Sequence, residues 1–413
     1  MNYHCAYYEP DNFLKQAEKS DGISFMNLNC RGLVSNWENF LELVCNISSD
    51  TFSFDVIGLT EVYKYQCENY LSLPGYHNII ARVRDDNSRG GVGFFIKENI
   101  KFRKREDLSL FIPHVIETLF IEFETSSKNK SIAGIVYRPN SAPLADIDVF
   151  STTILDIVHK VNSEKKKCYI MGDMNLDLLK YSLHLKTNDY LENFFVNGFL
   201  PMITKPTRIT QSSATLIDHI FTNNLAEATS GIIITDVSDH FAVFYIAHSA
   251  KSRQAAENVQ MRRHFSEQNY AKFRQDLETA DFSEVNEADC PNKAYHIFIN
   301  KIKTSVDLAF PVSECRKSAN CVKYQPWITS GLKVSLKKMR LYRISKQCPT
   351  DQNINKYKTY NNMLNKVKRK LKCNYFSKKI EQYKNNAKFL WGLFNQALGK
   401  KQTKKMLPEK LKI

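Results

Sequence analysis

Short apolar runs in this chain stop, five times over, on residues that carry an oxygen or an imidazole. They are Leu28-Asn29, Thr60-Glu61, Met171-Gly172-Asp173-Met174-Asn175, Leu216-Ile217-Asp218-His219 and, after Gly231 to Thr235, Ser238-Asp239-His240. Runs of this length read as buried strands, and open α/β sheets present their chemistry at strand ends. A chain patterned this way is expected to bring its polar ends to one rim. What converges there is acid, amide and histidine. Hard oxygen donors suit Mg²⁺, and an imidazole beside a carboxylate suits proton transfer.

The runs, with their β-branched and aromatic content, predict strands over Ile23–Asn29, Asp55–Thr60, Gly91–Ile96, Ile116–Glu124, Ser131–Tyr137, Cys168–Gly172, Ile217–Thr222, Ile232–Ile234 and Ala242–Ala247. Helical spacing runs through Trp37, Phe40, Leu41 and Val44, with Ser35 or Asn36 as its cap, and recurs over Asp148–Val161 and Tyr190–Val196. Several strands follow one another without a helix between them, so a regularly alternating parallel sheet does not fit. The expected fold is α/β: a four-layer sandwich of two mixed sheets with flanking helices, followed by a basic, mainly helical C-terminal region.

Charge divides the chain. The whole carries a net +15, but residues 1–250 hold 23 Lys+Arg against 30 Asp+Glu, and residues 251–413 hold 35 against 13. From Lys323 onward 24 basic residues face three acids, interleaved with Tyr342, Tyr357, Tyr360, Tyr375, Phe376, Tyr383, Phe389, Trp391 and Phe394. Such asymmetry suggests a catalytic body with a basic arm for a polyanion. The expected domains are a lead-in over 1–22, a catalytic body over 23–250, a mixed linker over 251–322 with a helix near Tyr295–Leu308, and a basic helical region over 323–413. That last region is read either as nucleic-acid-binding or as a tether. Its end, Lys400–Ile413, reads as frayed. No apolar stretch is long enough to span a membrane, and no secretory signal is visible. The ten cysteines, of which Cys315 and Cys321 are the closest pair, lack metal spacing and read as reduced thiols of an intracellular protein.

Each motif has a bland counterpart. Gly172-Asp173-Met174-Asn175 places two oxygen-bearing side chains two residues apart, able to hold a metal, a water or a phosphoryl oxygen, yet all are turn formers. Asp218 sits inside an apolar run and needs a partner, for which His240 is the candidate. Glu61 ends a strand, which suits a metal ligand or an ordinary exposed glutamate. Arg89-Gly90-Gly91-Val92-Gly93 lacks the lysine and hydroxyl of a nucleotide loop and reads as a hairpin. Tyr137-Arg138-Pro139-Asn140 offers a phenol and a guanidinium to phosphate, or a rim turn.

The order Asn29, Glu61, Tyr137, Asp173-Asn175, Asp218, Asp239-His240 resembles the endonuclease/exonuclease/phosphatase superfamily over about residues 23–248. The variants Leu28-Asn29-Cys30-Arg31-Gly32-Leu33, Tyr137-Arg138-Pro139-Asn140, Gly172-Asp173-Met174-Asn175 and Ala214-Thr215-Leu216-Ile217-Asp218 look most like the apurinic-type endonuclease of non-LTR, jockey-like retrotransposons. The segment from Gln325-Pro326-Trp327 to Trp391-Gly392-Leu393-Phe394 resembles the stretch between endonuclease and reverse transcriptase in such elements.

The resemblance implies Mg²⁺-dependent nicking of a DNA phosphodiester to leave a 3′-hydroxyl, with Mn²⁺ as a substitute. By motif, Glu61 is the metal ligand, supported by Asn29 and helped by Asp239. Asp173 orients the attacking water, and Asn175 positions the phosphate. His240, oriented by Asp218, stabilises the phosphate. Tyr137 contacts the scissile phosphate and Thr215 lies near it. The implied partners are DNA, RNA as an alternative for the arm, and a reverse transcriptase in cis; the implied location is the nucleus. Arg31 stands where repair enzymes carry an acid, which argues against abasic-site repair. No Asp-Asp polymerase motif occurs in the last 160 or so residues, so the chain reads as a fragment of a polyprotein or a degenerate copy. The competing functions are a phosphatase or phosphodiesterase of the same superfamily, and a non-enzymatic transposon relic that binds nucleic acid.

Overall fold

Alternation along the strands decides the architecture. In Ser24–Asn29, Phe25 joins one hydrophobic cluster while Met26 and Leu28 join another. Val243 and Tyr245 likewise part from Phe244 and Ile246, and Phe94 from Phe95. Successive side chains point to opposite faces, so these strands are apolar on both sides and must be covered twice. The computed structural model of the chain describes residues 5–17, 22–49, 51–63, 71–84, 89–124, 129–140, 146–248, 259–316, 325–335 and 338–397. Cys321, the frayed end Lys400–Ile413 and parts of the lead-in (1–4 and 18–21) lie outside the described residues.

Two mixed sheets pack face to face. The first has seven strands in the order Cys5–Tyr8, Ala228–Ile233, Ala242–Ala247, Ser24–Asn29, Val56–Thr60, Val92–Ile96 and Ile80–Arg82. The second runs Leu200–Pro201, Asp218–Thr222, Lys167–Asp173, Lys130–Tyr137, Ile116–Glu124 and Phe102–Lys104, with Phe111–Ile112 also on Ile116–Glu124. Between them Phe25 stacks on Tyr169 with ring centroids 4.3 Å apart. A Cβ on Gly58 would stand 2.9 Å from Ile135 Cδ1, so the sheets meet closely there. Pro10–Ala17 and Leu33–Asn46 cover the outer face of the first sheet through Phe13, Phe40 and Leu43. Asp146–Ser163 and Leu185–Val196 cover the second through Phe150, Ile154, Tyr190 and Phe194.

The structure departs from the sequence reading in several places. The helix after Asn29 starts at Leu33, capped by Gly32 at φ 94°, so neither Ser35 nor Asn36 is the cap. Part of the segment read as a lead-in supplies an edge strand and a helix of the first sheet's layer. Strands do not stop after Ala250: Val259–Arg263 pairs antiparallel with Val312–Arg316. That pair belongs to a second compact unit, Arg253–Ala319, which also holds Glu267–Glu278, Ser283–Asn286 and Pro291–Ala309. Inside that unit Phe310 is buried against Phe265, Tyr270 and Phe273.

The basic region belongs to the first unit. Its helices are Ser330–Ser335, Met339–Gln347, Asp351–Gln382 and Ala387–Ala397, where the helical spacing of the sequence predicts two, over Gly331–Lys346 and Asn355–Phe394. Trp327, Leu332 and Leu364 form a small core among them. Tyr342 is buried in the main cluster of the body. No helix among the described residues is long and apolar enough to cross a membrane.

Candidate active site

Register brings the strand ends together before any side chain acts. Asp173 lies opposite Tyr137 on one neighbouring strand and opposite Asp218 on the other. In the other sheet Asn29 lies opposite Thr60, and Glu61 follows at once. Gly172 makes the approach to Asp173 possible. It sits at φ +147°, and a Cβ there would stand 1.8 Å from Val136 O. Only glycine fits such a position.

The two rims are joined by one carboxamide. Asn29 Nδ2 donates to Asp173 Oδ2 at 2.7 Å and to Glu61 Oε1 at 2.8 Å, and Asn29 is fully buried. Tyr63 donates its phenol to Glu61 Oε2. On the far side His240 Nδ1 donates to Asp218 Oδ2 at 2.9 Å, and Thr207 Oγ1 donates to the same oxygen at 2.6 Å. Asp218 Oδ1 is buried without a hydrogen-bond partner among the described residues. Ser238 Oγ accepts from His240 N at 3.1 Å and donates to Asn29 O at 2.6 Å, tying the histidine's loop to the asparagine. Asn175 N donates to Asp173 Oδ1 at 3.1 Å, while its side chain donates to Arg138 O at 2.7 Å.

Backbone strain collects at the same place. Among the described residues six non-glycine residues have positive φ, and four of them are Arg31, Glu61, Tyr63 and Asn175. Such conformations cost of order 1–3 kcal/mol each and persist where the surroundings impose them, often at functional sites.

Burial makes the site's charges interact strongly. Burial, then repulsion by Asp218, raises the Asp173 carboxyl well above the ordinary range, against the pull of His240 and of the Asn29 hydrogen bond. Burial disfavours a charged His240, but the Asp218 carboxylate outweighs it and the imidazole rises to about 9. Burial would raise Asp239, yet His240, Arg208 and Arg31 hold it at about 2. The Tyr137 phenol is raised by burial and then by Glu61, so it stays protonated.

Most residues marked by sequence gather here. Asp173, Asp218 and His240 are all buried, with ligand atoms within 4.8 Å of one another. The imidazole, held cationic by Asp218, cannot ligate a metal, so the hard oxygen donor here that fits a divalent cation is the Glu61 carboxylate, held by Asn29 and Tyr63. Glu61 and Asn29 border this group through Asp173. Asp239 was expected to help hold the metal, but its two oxygens go to Arg31 Nη1 at 2.7 Å and Arg208 Nε at 2.8 Å. Thr215 pairs with Arg208 in a two-stranded hairpin, and the hydroxyl that reaches Asp218 is that of Thr207. Sequence reasoning missed Thr207, Arg208 and Tyr63. They stand outside the quoted motifs, although Thr207-Arg208 follows a turn-forming Pro206.

The sequence profile of the Endonuclease/Exonuclease/phosphatase family matches residues 26–240, just over half of the 413. No curated protein sequence matches the chain. Among solved structures it is similar to the endonuclease domain of TRAS1, a telomere-specific non-LTR retrotransposon, at 11% identity and TM-score 0.43, over 56% of this chain and 100% of that one. It is also similar to the Xenopus laevis APE2 catalytic domain, at 14% identity and TM-score 0.41, over 55% of this chain and 94% of that one. The human Nocturnin catalytic domain with bound sulfate anion matches at 13% identity and TM-score 0.41, over 54% and 93%.

Proposed function

The chain belongs to the Endonuclease/Exonuclease/phosphatase family, and from that premise we propose that it is a metal-dependent phosphodiesterase that nicks DNA and leaves a 3′-hydroxyl. We assign it to the type that non-LTR retrotransposons use for target-primed reverse transcription, with Mg²⁺ as the cation and Mn²⁺ as a substitute. The observation that carries this reading is the Asn29–Asp173 hydrogen bond, which sets an acid–amide rim beside the Asp218–His240 pair.

Hydrolysis of a phosphodiester must stabilise an anionic pentacovalent transition state. Asp173, with its raised pKa, accepts the proton of the attacking water. His240, held cationic by Asp218, donates to a phosphoryl oxygen. The protonated phenol of Tyr137 donates to the same phosphate, and Asn175, fixed against Arg138, places it. Glu61, supported by Asn29, would hold the cation, which supplies Lewis-acid charge stabilisation when bound. The lysines of the C-terminal helices favour a polyanion over a small phosphoester. Incubation of the full chain with supercoiled plasmid, with Mg²⁺ or with chelator, tests the reading. Relaxed circles that need the cation and extend from a polymerase-usable 3′ end support it; intact plasmid overturns it.

A further inference from the structure

The loop that carries Asp239 and His240, between the strands Ala228–Ile233 and Ala242–Ala247, is held from outside by the C-terminal helices. Lys338 Nζ reaches Asp236 Oδ2 at 2.6 Å, and Tyr357 donates its phenol to that same oxygen at 2.6 Å. Lys338 is buried and its ammonium also donates to Asn361 Oδ1 at 3.0 Å. Next along the loop, Tyr342 packs its ring edge-on against Phe241, with centroids 6.3 Å apart, and stacks obliquely on Tyr357 at 5.0 Å. Lys346 Nζ donates to Ile209 O at 2.5 Å, in the hairpin whose Arg208 grips Asp239. Further ion pairs, Lys368–Glu42 and Lys372–Glu38, anchor the long helix Asp351–Gln382 to Leu33–Asn46.

A solvated arm or a tether has no need to bury an ammonium. A buried ammonium is tolerable only with its partner in place, so Lys338 and Asp236 fix each other's position. Asp236 lies four residues before His240, and Ser238 between them is already tied to Asn29.

We propose that the C-terminal helices are a positioning device for the catalytic loop: Lys338 and Tyr357, acting through Asp236, and Tyr342, against Phe241, set where His240 stands. This rests on the reading of His240 as a group that acts on phosphate. None of the three needs to touch substrate. Their effect passes through the loop backbone, where a shift of about 1 Å can cost up to about 10²-fold in rate.

The test uses the full chain carrying Tyr357→Phe, Lys338→Met or Lys338→Arg. Two quantities are read: kcat and KM for plasmid nicking, and the His240 imidazole resonances by NMR, assigned with His240→Gln. Tyr357→Phe should lower kcat about 10-fold with KM within about twofold, and Lys338→Met should lower it further. Both should move the His240 resonances, and Lys338→Arg should restore part of each loss. Tyr357→Phe removes a single oxygen, so it decides the matter if Lys338→Met does not fold. Unmoved resonances and unchanged kcat in folded Tyr357→Phe would overturn the proposal. If the wild type does not nick, the phosphodiesterase reading fails on its own, and the resonances still report whether the helices position the imidazole.

Discussion

Asn29 Nδ2 stands 2.7 Å from Asp173 Oδ2, and the two residues come from opposite sheets of the sandwich. The same nitrogen reaches Glu61 at 2.8 Å, so one amide spaces two carboxylates in a buried place. Charge-assisted bonds of this kind are stronger than neutral ones, and a buried carboxylate left without its donor is costly.

Asn29→Leu is therefore expected to lower the urea midpoint while still folding, as judged by circular dichroism, and to lower kcat by roughly 10²-fold or more. Single-turnover nicking measures it. Activity within a few-fold of wild type would show that the amide is structural padding.

Asp218→Ala and His240→Ala should each lower kcat by about 10³-fold or more, and the double variant should be little worse than either. The reason is the shared hydrogen bond at 2.9 Å, which makes the two groups one unit. Losses that multiply would contradict the pairing.

Much of this site was legible because strand ends are marked twice, by the stop of an apolar run and by a polar residue at the stop. Asp173 and Asp218 are examples, and Ile116–Glu124 and Ala242–Ala247 matched the sequence reading to the residue. Two-residue strands such as Arg208–Ile209 and Leu200–Pro201 were invisible, because too few residues alternate to show a period. Thr207 was missed for a different reason. Its hydroxyl matters only because the hairpin folds it under Asp218, a relation across eleven residues that no spacing rule encodes. Asp239 took its metal role from the motif resemblance, while its partners, Arg31 and Arg208, come from distant parts of the chain. The Leu33–Asn46 helix starts just after Gly32 because that residue's left-handed φ turns the chain there, so the polar Ser35 and Asn36 lie inside the first turn.

Gly172→Ala is expected to destabilise the fold by about 3 kcal/mol or more, through both the positive φ and the collision with Val136 O. Urea denaturation should show a lower midpoint. An unchanged midpoint would mean that the two central strands of the second sheet can move apart.

Glu122 gives a stability limb that is separate from the site. Burial would raise its carboxyl, but hydrogen bonds from Lys166 and Arg103, and the charges of both, bring it from 4.5 to about 2. A folded-state pKa below the unfolded one adds stability that is complete above the unfolded value and fades as pH falls towards the folded one. Between about pH 4.5 and 2 the wild type should lose stability that Glu122→Gln never had, so the two melting curves should converge in acid. Parallel curves across that window would show that the ion-pair network is not linked to folding.

The most direct measurement is the conversion of supercoiled plasmid to relaxed circle by the full chain and by Asp173→Asn, each with Mg²⁺ and with chelator. The account predicts relaxed circle from the wild type with Mg²⁺ alone, closed again by ligase when the nick keeps a 5′-phosphate and a 3′-hydroxyl, and none from Asp173→Asn. Equal nicking by Asp173→Asn, or nicking in chelator, would contradict it.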